Sequence, residues 1–369
     1  MRKLRAAVIG TGFMGRVHLE GLRRLGSVEV RVVCGSSLEK ARAFADAFGV
    51  ERAEADYRKA VEDPSVDVVH VCTPNASHAA VVTASLEAGR HVLCEKPLAT
   101  TVESASALVS LARARQRRNC TCHNLRFYPM VQQMRRLREA GSLGEVLVAQ
   151  GTYSQDWLLY DSDWNWRVDA RASGPLRAMA DIGSHWCDMV EHVTGLRMTS
   201  VCADLATFHG TRKRGGRMNG TDVQVDTEDF GGVLFRLGSR ARGAFTASQV
   251  AAGCKNRLSV EVYGTSASVA WNQERPDELW VGHRDAANQV MVKDPALLED
   301  GARPYADLPG GHGEGYNDTF KQIFRRFYDS IESPDAEPAY PQFEDGLRQL
   351  RILDAVLASH QRRGWADVE

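Results

Sequence analysis

The chain has 369 residues, two domains' worth at about 150 residues each. Hydrophobic residues make up 43% and charged residues 25%, enough for a sizeable core and too apolar for a disordered chain. Lys plus Arg is 46 and Asp plus Glu is 47, so the net charge is -1 and no global field draws the chain to nucleic acid or an anionic membrane. No apolar run reaches the roughly 18 residues of a transmembrane helix. The basic tip followed by Ala6–Ile9 reads as a first strand rather than a signal peptide.

The first third alternates strand and helix patterns. Arg5–Ile9, Val28–Val33, Val66–Val71, His91–Cys94 and Asn119–Cys122 read as strands. Met14–Leu25, Leu38–Phe48, Ala76–Ala88 and Thr101–Arg117 read as the helices between them. In Thr101–Arg117, Glu103 comes early and Arg113, Arg115 and Arg117 late, the order the helix dipole favours. Such alternation predicts an α/β fold with a doubly wound parallel sheet. After residue 123 the pattern changes. Met130–Glu139 and Pro175–Val193 read as helical, and Glu145–Trp157 as a long strand. Val223–Leu237, Ala241–Val250, Leu258–Tyr263 and Ala267–Trp271 are consecutive strands, which predict a large mixed or antiparallel sheet. Tyr316–Ile331 and Phe343–Arg362 close the chain as helices. The domains are therefore expected at 1–123 and 124–369. The basic, glycine-rich stretch Thr211–Gly220 reads as a solvated hairpin loop.

Eight cysteines show no CxxC pair, and five of them, Cys34, Cys72, Cys94, Cys120 and Cys122, fall at predicted strand ends. Structural thiols and a cytoplasmic setting are expected. No metal is expected either. Asp181, His185, Glu191 and His192 lie close in sequence, but the two histidines are seven apart with no HExxH.

Gly10-Thr11-Gly12-Phe13-Met14-Gly15 is a GxGxxG that follows a strand and opens a helix, the context that makes it a dinucleotide signal. Gly10 permits the tight turn, Gly12 lets a pyrophosphate approach the backbone, and Gly15 lets helix and sheet pack closely. An acid at the end of the second strand would bond the adenosine ribose of NAD, and here Cys34-Gly35-Ser36-Ser37 stands instead. Ser36 and Ser37 can donate to a 2′-phosphate, with Lys40 and Arg42 close behind, so the reading leans to NADP, with NAD as the alternative. Ser37 as a plain helix cap is the competing role.

Thr73-Pro74-Asn75 with His78, and Glu95-Lys96-Pro97, follow the third and fourth predicted strands, where open α/β sheets bind ligands. Pro97 restricts the backbone of Lys96 and aims its side chain. Asp181 and His185 are four apart in a helical pattern, so a carboxylate could orient an imidazole that titrates near neutral pH. Asp156–Arg167 is rich in Trp, Asp and Arg, a composition suited to sugars, which stack on rings and bond charged groups.

Together these motifs resemble the Gfo/Idh/MocA family of dehydrogenases. The resemblance rests on Gly10–Gly15 with His18, Thr73-Pro74-Asn75 with His78, Glu95-Lys96-Pro97, Asn124–Pro129, and Asp181–His185. It implies an N-terminal Rossmann domain, a C-terminal domain with a large open sheet, and a homodimer or homotetramer. It implies hydride transfer between nicotinamide and a carbinol of a sugar, anhydrosugar, glycoside or cyclitol. Lys96 would bond the reacting hydroxyl, His185 would accept its proton, and Asp181 would orient substrate or imidazole. Gly10, Gly12, Phe13, Met14, Gly15, Ser36, Ser37, Lys40, Thr73, Pro74, Asn75, His78, Glu95 and Lys96 would line the cofactor. Arg126, Trp164, Trp166, Arg167 and His312 would touch the substrate. The family also holds glycosidases that oxidise transiently and non-catalytic nucleotide sensors. Retention of Lys96 with Asp181 and His185 favours a dehydrogenase.

Overall fold

A computed structural model describes residues 3–369. The chain divides into two compact units, residues 1–124 with 317–350, and residues 125–316 with 351–369.

The first unit opens β1 (Leu4–Ile9), α1 (Phe13–Leu25), β2 (Val28–Cys34), α2 (Leu38–Phe48), β3 (Arg52–Glu54) and α3 (Tyr57–Val61). It continues β4 (Val68–Val71), α4 (His78–Glu87), β5 (His91–Cys94), α5 (Val102–Ala114) and β6 (Asn119–Thr121). The six strands run in the order β3-β2-β1-β4-β5-β6, all parallel, the order of a dinucleotide-binding sheet. Strands β1 and β4 are almost wholly apolar and buried because helices cover both faces. β3 and α3 are short elements that the apolar pattern does not announce.

The second unit holds α6 (Pro129–Glu139), β7 (Val146–Ser154), α7 (Ala170–Ser173), α8 (Ser184–Thr194) and β8 (Met198–Ala206). A hairpin of β9 (Thr211–Arg214) and β10 (Thr221–Gln224) stands apart as its own two-stranded sheet. β11 (Phe230–Leu237), β12 (Ala241–Ser248), β13 (Arg257–Gly264), β14 (Ser268–Asn272), β15 (Glu278–Gly282) and β16 (Gln289–Val292) follow. With β17 (Ala366–Asp367) they build a nine-stranded sheet, β16-β15-β14-β13-β7-β12-β11-β8-β17. Only the β12–β7 pair in it is parallel. One face is closed by α8, whose Trp186 stacks on Phe245 of β12 at 4.4 Å. Leu234 and Val290 are exposed on this sheet. The single strand expected over Val223–Leu237 is two, β10 and β11, because Glu228 and Asp229 between them turn inward as buried charges.

Two helices end the chain, α9 (Tyr316–Glu332) and α10 (Phe343–Arg362). Assignment of everything after residue 123 to the second domain needs correction, since 317–350 belongs to the first unit. The cause is packing. Phe320, Phe324, Phe327 and Tyr328 of α9 are buried, and Phe324 lies so close to Gly21 of α1 that a Cβ there would sit 2.8 Å from its ring. The start of α10 is tied to β6 by the Phe343 N–H donating to Asn119 Oδ1 at 2.8 Å.

Phe324→Ala should lower unfolding free energy by about 3–5 kcal/mol in urea titration, the cost of a large buried cavity. A loss below about 1 kcal/mol would contradict this packing.

Candidate active site

In the first unit the glycine motif closes the end of β1. Gly10 has φ +119°, and a Cβ there would lie 2.4 Å from the carbonyl oxygen of Cys72. A Cβ on Gly15 would lie 1.9 Å from the Gly10 carbonyl oxygen. Both glycines therefore serve the turn. Gly12 differs: it caps α1 without a side-chain bond, and nothing stands within 4 Å of where its Cβ would be. It leaves the first N–H groups of α1 open to an anion. Phe13 beside it is exposed and Met14 half-buried. Nearby, Thr73 Oγ1 at the end of β4 is buried with no hydrogen-bond partner among the described residues. An open helix N-terminus and an orphaned buried hydroxyl fit a dinucleotide.

The tip of β2 is occupied differently from the expectation. Ser37 Oγ accepts from the Lys40 N–H at 3.3 Å and caps α2, while Ser36 and Lys40 are exposed. Cys34 is paired in register with Glu54 of β3, and the Gly35 N–H donates to the Glu54 carbonyl at 3.0 Å. Burial, then the Asp56 and Glu54 carboxylates, push the Cys34 thiol up to about 11. The surroundings of this tip are anionic.

At the ends of β4 and β5, His78 is buried, with its two ring nitrogens facing the carbonyls of Pro97 (2.7 Å) and Thr73 (2.8 Å). It ties the loops after β4 and β5 together. Pro74 is exposed, and Asn75 opens a short 3-10 turn to Ser77. Glu95 is buried and Lys96 half-buried, and the Lys96–Pro97 peptide is cis. Burial pushes the Glu95 carboxyl up, but the hydrogen bond to His18, the Lys96 charge and a hydrogen bond to the Cys122 thiol outweigh it and hold it below the usual range.

In the second unit Asp181 does not sit on a regular α-helix. Met179–Gly183 forms a π turn, and α8 begins at Ser184, one residue before His185. Such turns concentrate at functional sites. The Asp181 carboxylate accepts from Arg167 Nε at 3.1 Å and Gln249 Nε2 at 2.9 Å. His185 is buried, 6.4 Å between ring centroids from Tyr153. Tyr153 donates to Asn256 Oδ1 at 2.8 Å, Gln155 donates to the same oxygen at 2.7 Å, and Trp157 donates to Gln155.

Two buried carboxylates hold this arrangement. Glu228 accepts from the N–H groups of Arg177 (2.9 Å) and Met179 (2.8 Å) at the entry to the π turn, and burial pushes its carboxyl up to about 7. Asp229 is shared by the guanidinia of Arg177 and Arg212, all three side chains fully buried. Arg212 also donates to the carbonyls of Leu158, Tyr160 and Asp163, which fixes the aromatic segment. Arg214 lies over the Trp164 ring and Arg217 over Tyr160. The basic stretch forms the expected hairpin and is largely exposed, and Arg212 alone turns inward to hold this segment. Sequence spacing hides that, because the partners are distant in the chain.

The proposed substrate contacts divide. Trp164 and Trp166 are half-buried, Trp164 packed on Leu158, Val168 and Val225. Arg167 stacks over Trp166 at 4.5 Å and pairs with Asp181. Arg126 is bidentate on Asp188 at 2.6 and 2.5 Å, an ion pair within the second unit. His312 is exposed, in a loop whose carbonyls are gathered by Lys293, itself paired with Glu314 at 2.7 Å. Glu191 is directed at Arg197 and the Met198 N–H. Gln249, Tyr153 and Asn256 were not foreseen. Gln249 directly follows the carboxyl end of β12, the one signal that could have drawn attention to it.

A parallel six-stranded sheet with an open glycine turn, and a lysine at its carboxyl edge, defines an oxidoreductase of the NAD-binding Rossmann class. Residues 4–123 match the family model described as an oxidoreductase family with an NAD-binding Rossmann fold, and residues 131–270 match the GFO/IDH/MocA C-terminal domain. The chain belongs to the Gfo/Idh/MocA family, whose chemistry is hydride transfer. It is 31% identical to levoglucosan dehydrogenase of Pseudarthrobacter phenanthrenivorans, over all of this chain and 99% of that protein. It is 27% identical to myo-inositol 2-dehydrogenase of Thermotoga maritima, over 99% of each. A solved levoglucosan dehydrogenase in complex with NADH and L-sorbose superposes with a TM-score of 0.93 at 30% identity, covering all of both chains.

Gly12→Ala should leave the melting temperature within about 1 °C, since its Cβ meets open space, yet weaken NADH binding tenfold or more in a fluorescence titration. Gly15→Ala should lower the melting temperature by several degrees, roughly the effect of 1–3 kcal/mol. Equal behaviour of the two variants would contradict the division of roles.

Proposed function

We propose that this protein is a dehydrogenase that oxidises a ring carbinol of a sugar, anhydrosugar, glycoside or cyclitol with NAD. The observation that carries the reading is Lys96, half-buried at the carboxyl end of β5 beside the ionised Glu95. Lys96 hydrogen-bonds the reacting oxygen, and its ammonium favours the alkoxide character that develops as hydride leaves. His185 accepts the hydroxyl proton as general base. Asp181, held by Arg167 and Gln249, fixes a neighbouring hydroxyl of the substrate or the imidazole. A bound nicotinamide would supply the hydride acceptor. Trp164 and Trp166 present rings on which the apolar face of a pyranose or cyclitol stacks. The names of the relatives, levoglucosan and inositol dehydrogenases, support a cyclic polyol.

The tip of β2 supports NAD rather than NADP. Ser37 is spent on its helix cap, and Glu54 and Asp56 would repel a 2′-phosphate. A solved relative holds NADH. The eight cysteines are all unpaired thiols, which supports a reducing, cytoplasmic setting. Leu234 and Val290, exposed on the large sheet, support association with a second copy through that face. No helix among the described residues is long and apolar enough to cross a membrane.

With a panel of anhydrosugars, glycosides, monosaccharides and inositols, the purified protein should reduce NAD and bind it more tightly than NADP. Lys96→Met should lose about 100-fold or more in kcat while keeping its NADH affinity. No nicotinamide reduction across the panel would overturn the reading. Aglycone release without net reduction would point to a glycosidase, and full activity of Lys96→Met would remove the lysine from the chemistry.

A further inference from the structure

Beneath the cofactor end of the first unit lies a buried chain of polar side chains that the proposed reaction does not use. His18 of α1 sets Nε2 2.9 Å from Glu95 Oε1 and Nδ1 3.0 Å from Nδ1 of His70 in β4. His70 sets Nε2 3.0 Å from the Tyr328 hydroxyl of α9. All four side chains are buried, and Phe324 packs edge-on against both imidazoles at centroid distances of 4.9 and 5.0 Å. The hydrogens are distributed among these four groups and the buried Cys122 thiol, which bonds Glu95 and lies 4.0 Å from His18 Nε2.

That distribution has two solutions with both rings neutral. In one, Tyr328 donates to His70, His70 Nδ1–H donates to His18, and His18 Nε2–H donates to an ionised Glu95. In the other, every bond is reversed, and Glu95 must carry a proton to donate to His18 Nε2. Two Nδ1 atoms share one hydrogen, so the polarity of the whole chain is linked to the charge of Glu95. Three facts select the first solution. Lys96, the next residue, favours the anion. Burial keeps His70 neutral. Burial, with Asp67, pushes the Tyr328 hydroxyl up, so it keeps its proton and donates.

We propose that His18, polarised by His70 and Tyr328, is a positioning residue that holds the Glu95 carboxylate as a fixed anion beside Lys96. The proposal rests on the reading that Lys96 acts on the reacting oxygen. The other groups that face Glu95 are the thiols of Cys72, Cys94 and Cys122 and the ring of His78. Burial pushes all three thiols up, so they stay neutral, and it pushes the His78 imidazole down. His18, Lys96 and the Cys122 thiol, which bonds the carboxylate, are what sustain the anion, and of these only His18 links it to the buried chain. With His18 gone, burial is offset by less, and Glu95 takes up a proton at higher pH than before. The anion is then lost as pH falls, so the defect deepens on the acid side.

Two measurements test this. In the wild-type protein labelled with nitrogen-15 at histidine, NMR at pH 7 should show His18 protonated at Nε2 only and His70 at Nδ1 only. The opposite tautomers, or an imidazolium at either ring, would overturn the proposed polarity. In kinetics, His18→Leu should lower kcat about tenfold or more, the worth of one hydrogen bond to a charge, with NADH affinity changed less than threefold. Its acid limb of kcat/KM should move to higher pH. His18→Gln, whose amide N–H can replace Nε2–H, should recover much of the loss. Glu95→Gln should lower kcat/KM by a similar factor without that displacement of the limb. An unchanged pH profile in His18→Leu, or no recovery in a folded His18→Gln, would overturn the proposal. Lys96→Met assayed alongside separates the two claims. If it is inactive while His18→Leu behaves as wild type, only the positioning role falls. If Lys96→Met is fully active, the functional reading falls, whatever the histidine tautomers.

Discussion

A charge taken out of water must be met by opposite charge or by hydrogen bonds, and both halves of this protein are organised by that constraint. In the first unit the constraint falls on Glu95, whose carboxylate is answered by His18 and Lys96. In the second it falls on Asp229, which joins Arg177 and Arg212. Lys293 with Glu314, and Arg126 with Asp188, repeat the arrangement. Losing one partner from such a pair strands the other, at a cost of about 3–5 kcal/mol. The loops that carry Lys96, Asp181 and the aromatic segment are thereby held rigid by buried ion pairs.

The consequence is plainest around Asp181. Glu228 fastens the entry to the π turn, Arg212 fastens the segment before it, and Arg167 joins that segment to Asp181. Gln249 holds the other carboxylate oxygen from the end of β12. Three parts of the chain that are remote in sequence therefore converge on one carboxylate. A site that must discriminate among hydroxyls of similar rings needs such stiffness, because a misplaced donor costs as much as an absent one.

Much of this was legible in the sequence, and the failures have a common cause. Strand–helix alternation and the setting of Gly10–Gly15 exposed the nucleotide sheet, because each depends on local period and on backbone conformations that only glycine adopts easily. Glu95-Lys96-Pro97 was legible from its place at a strand end. The return of α9 to the first unit was not, since it depends on Phe324 meeting Gly21 some 300 residues earlier in the chain. That Arg126 meets Asp188, and that Arg212 alone of its hairpin turns in to Asp229, could not be read from the sequence. The π turn was invisible because its residues read as ordinary helix. Local pattern reports secondary structure; it does not report which distant carboxylate a guanidinium will meet.

The central claim is that hydride leaves a ring carbon of a cyclic polyol for nicotinamide on this protein. Incubation of the enzyme with NAD and levoglucosan or inositol deuterated at every ring carbon tests it most directly. Reduced nicotinamide should carry one deuterium at C4, delivered to a single face, together with a ketone product. Reduced cofactor without deuterium, or oxidised cofactor unchanged across these polyols, would contradict it.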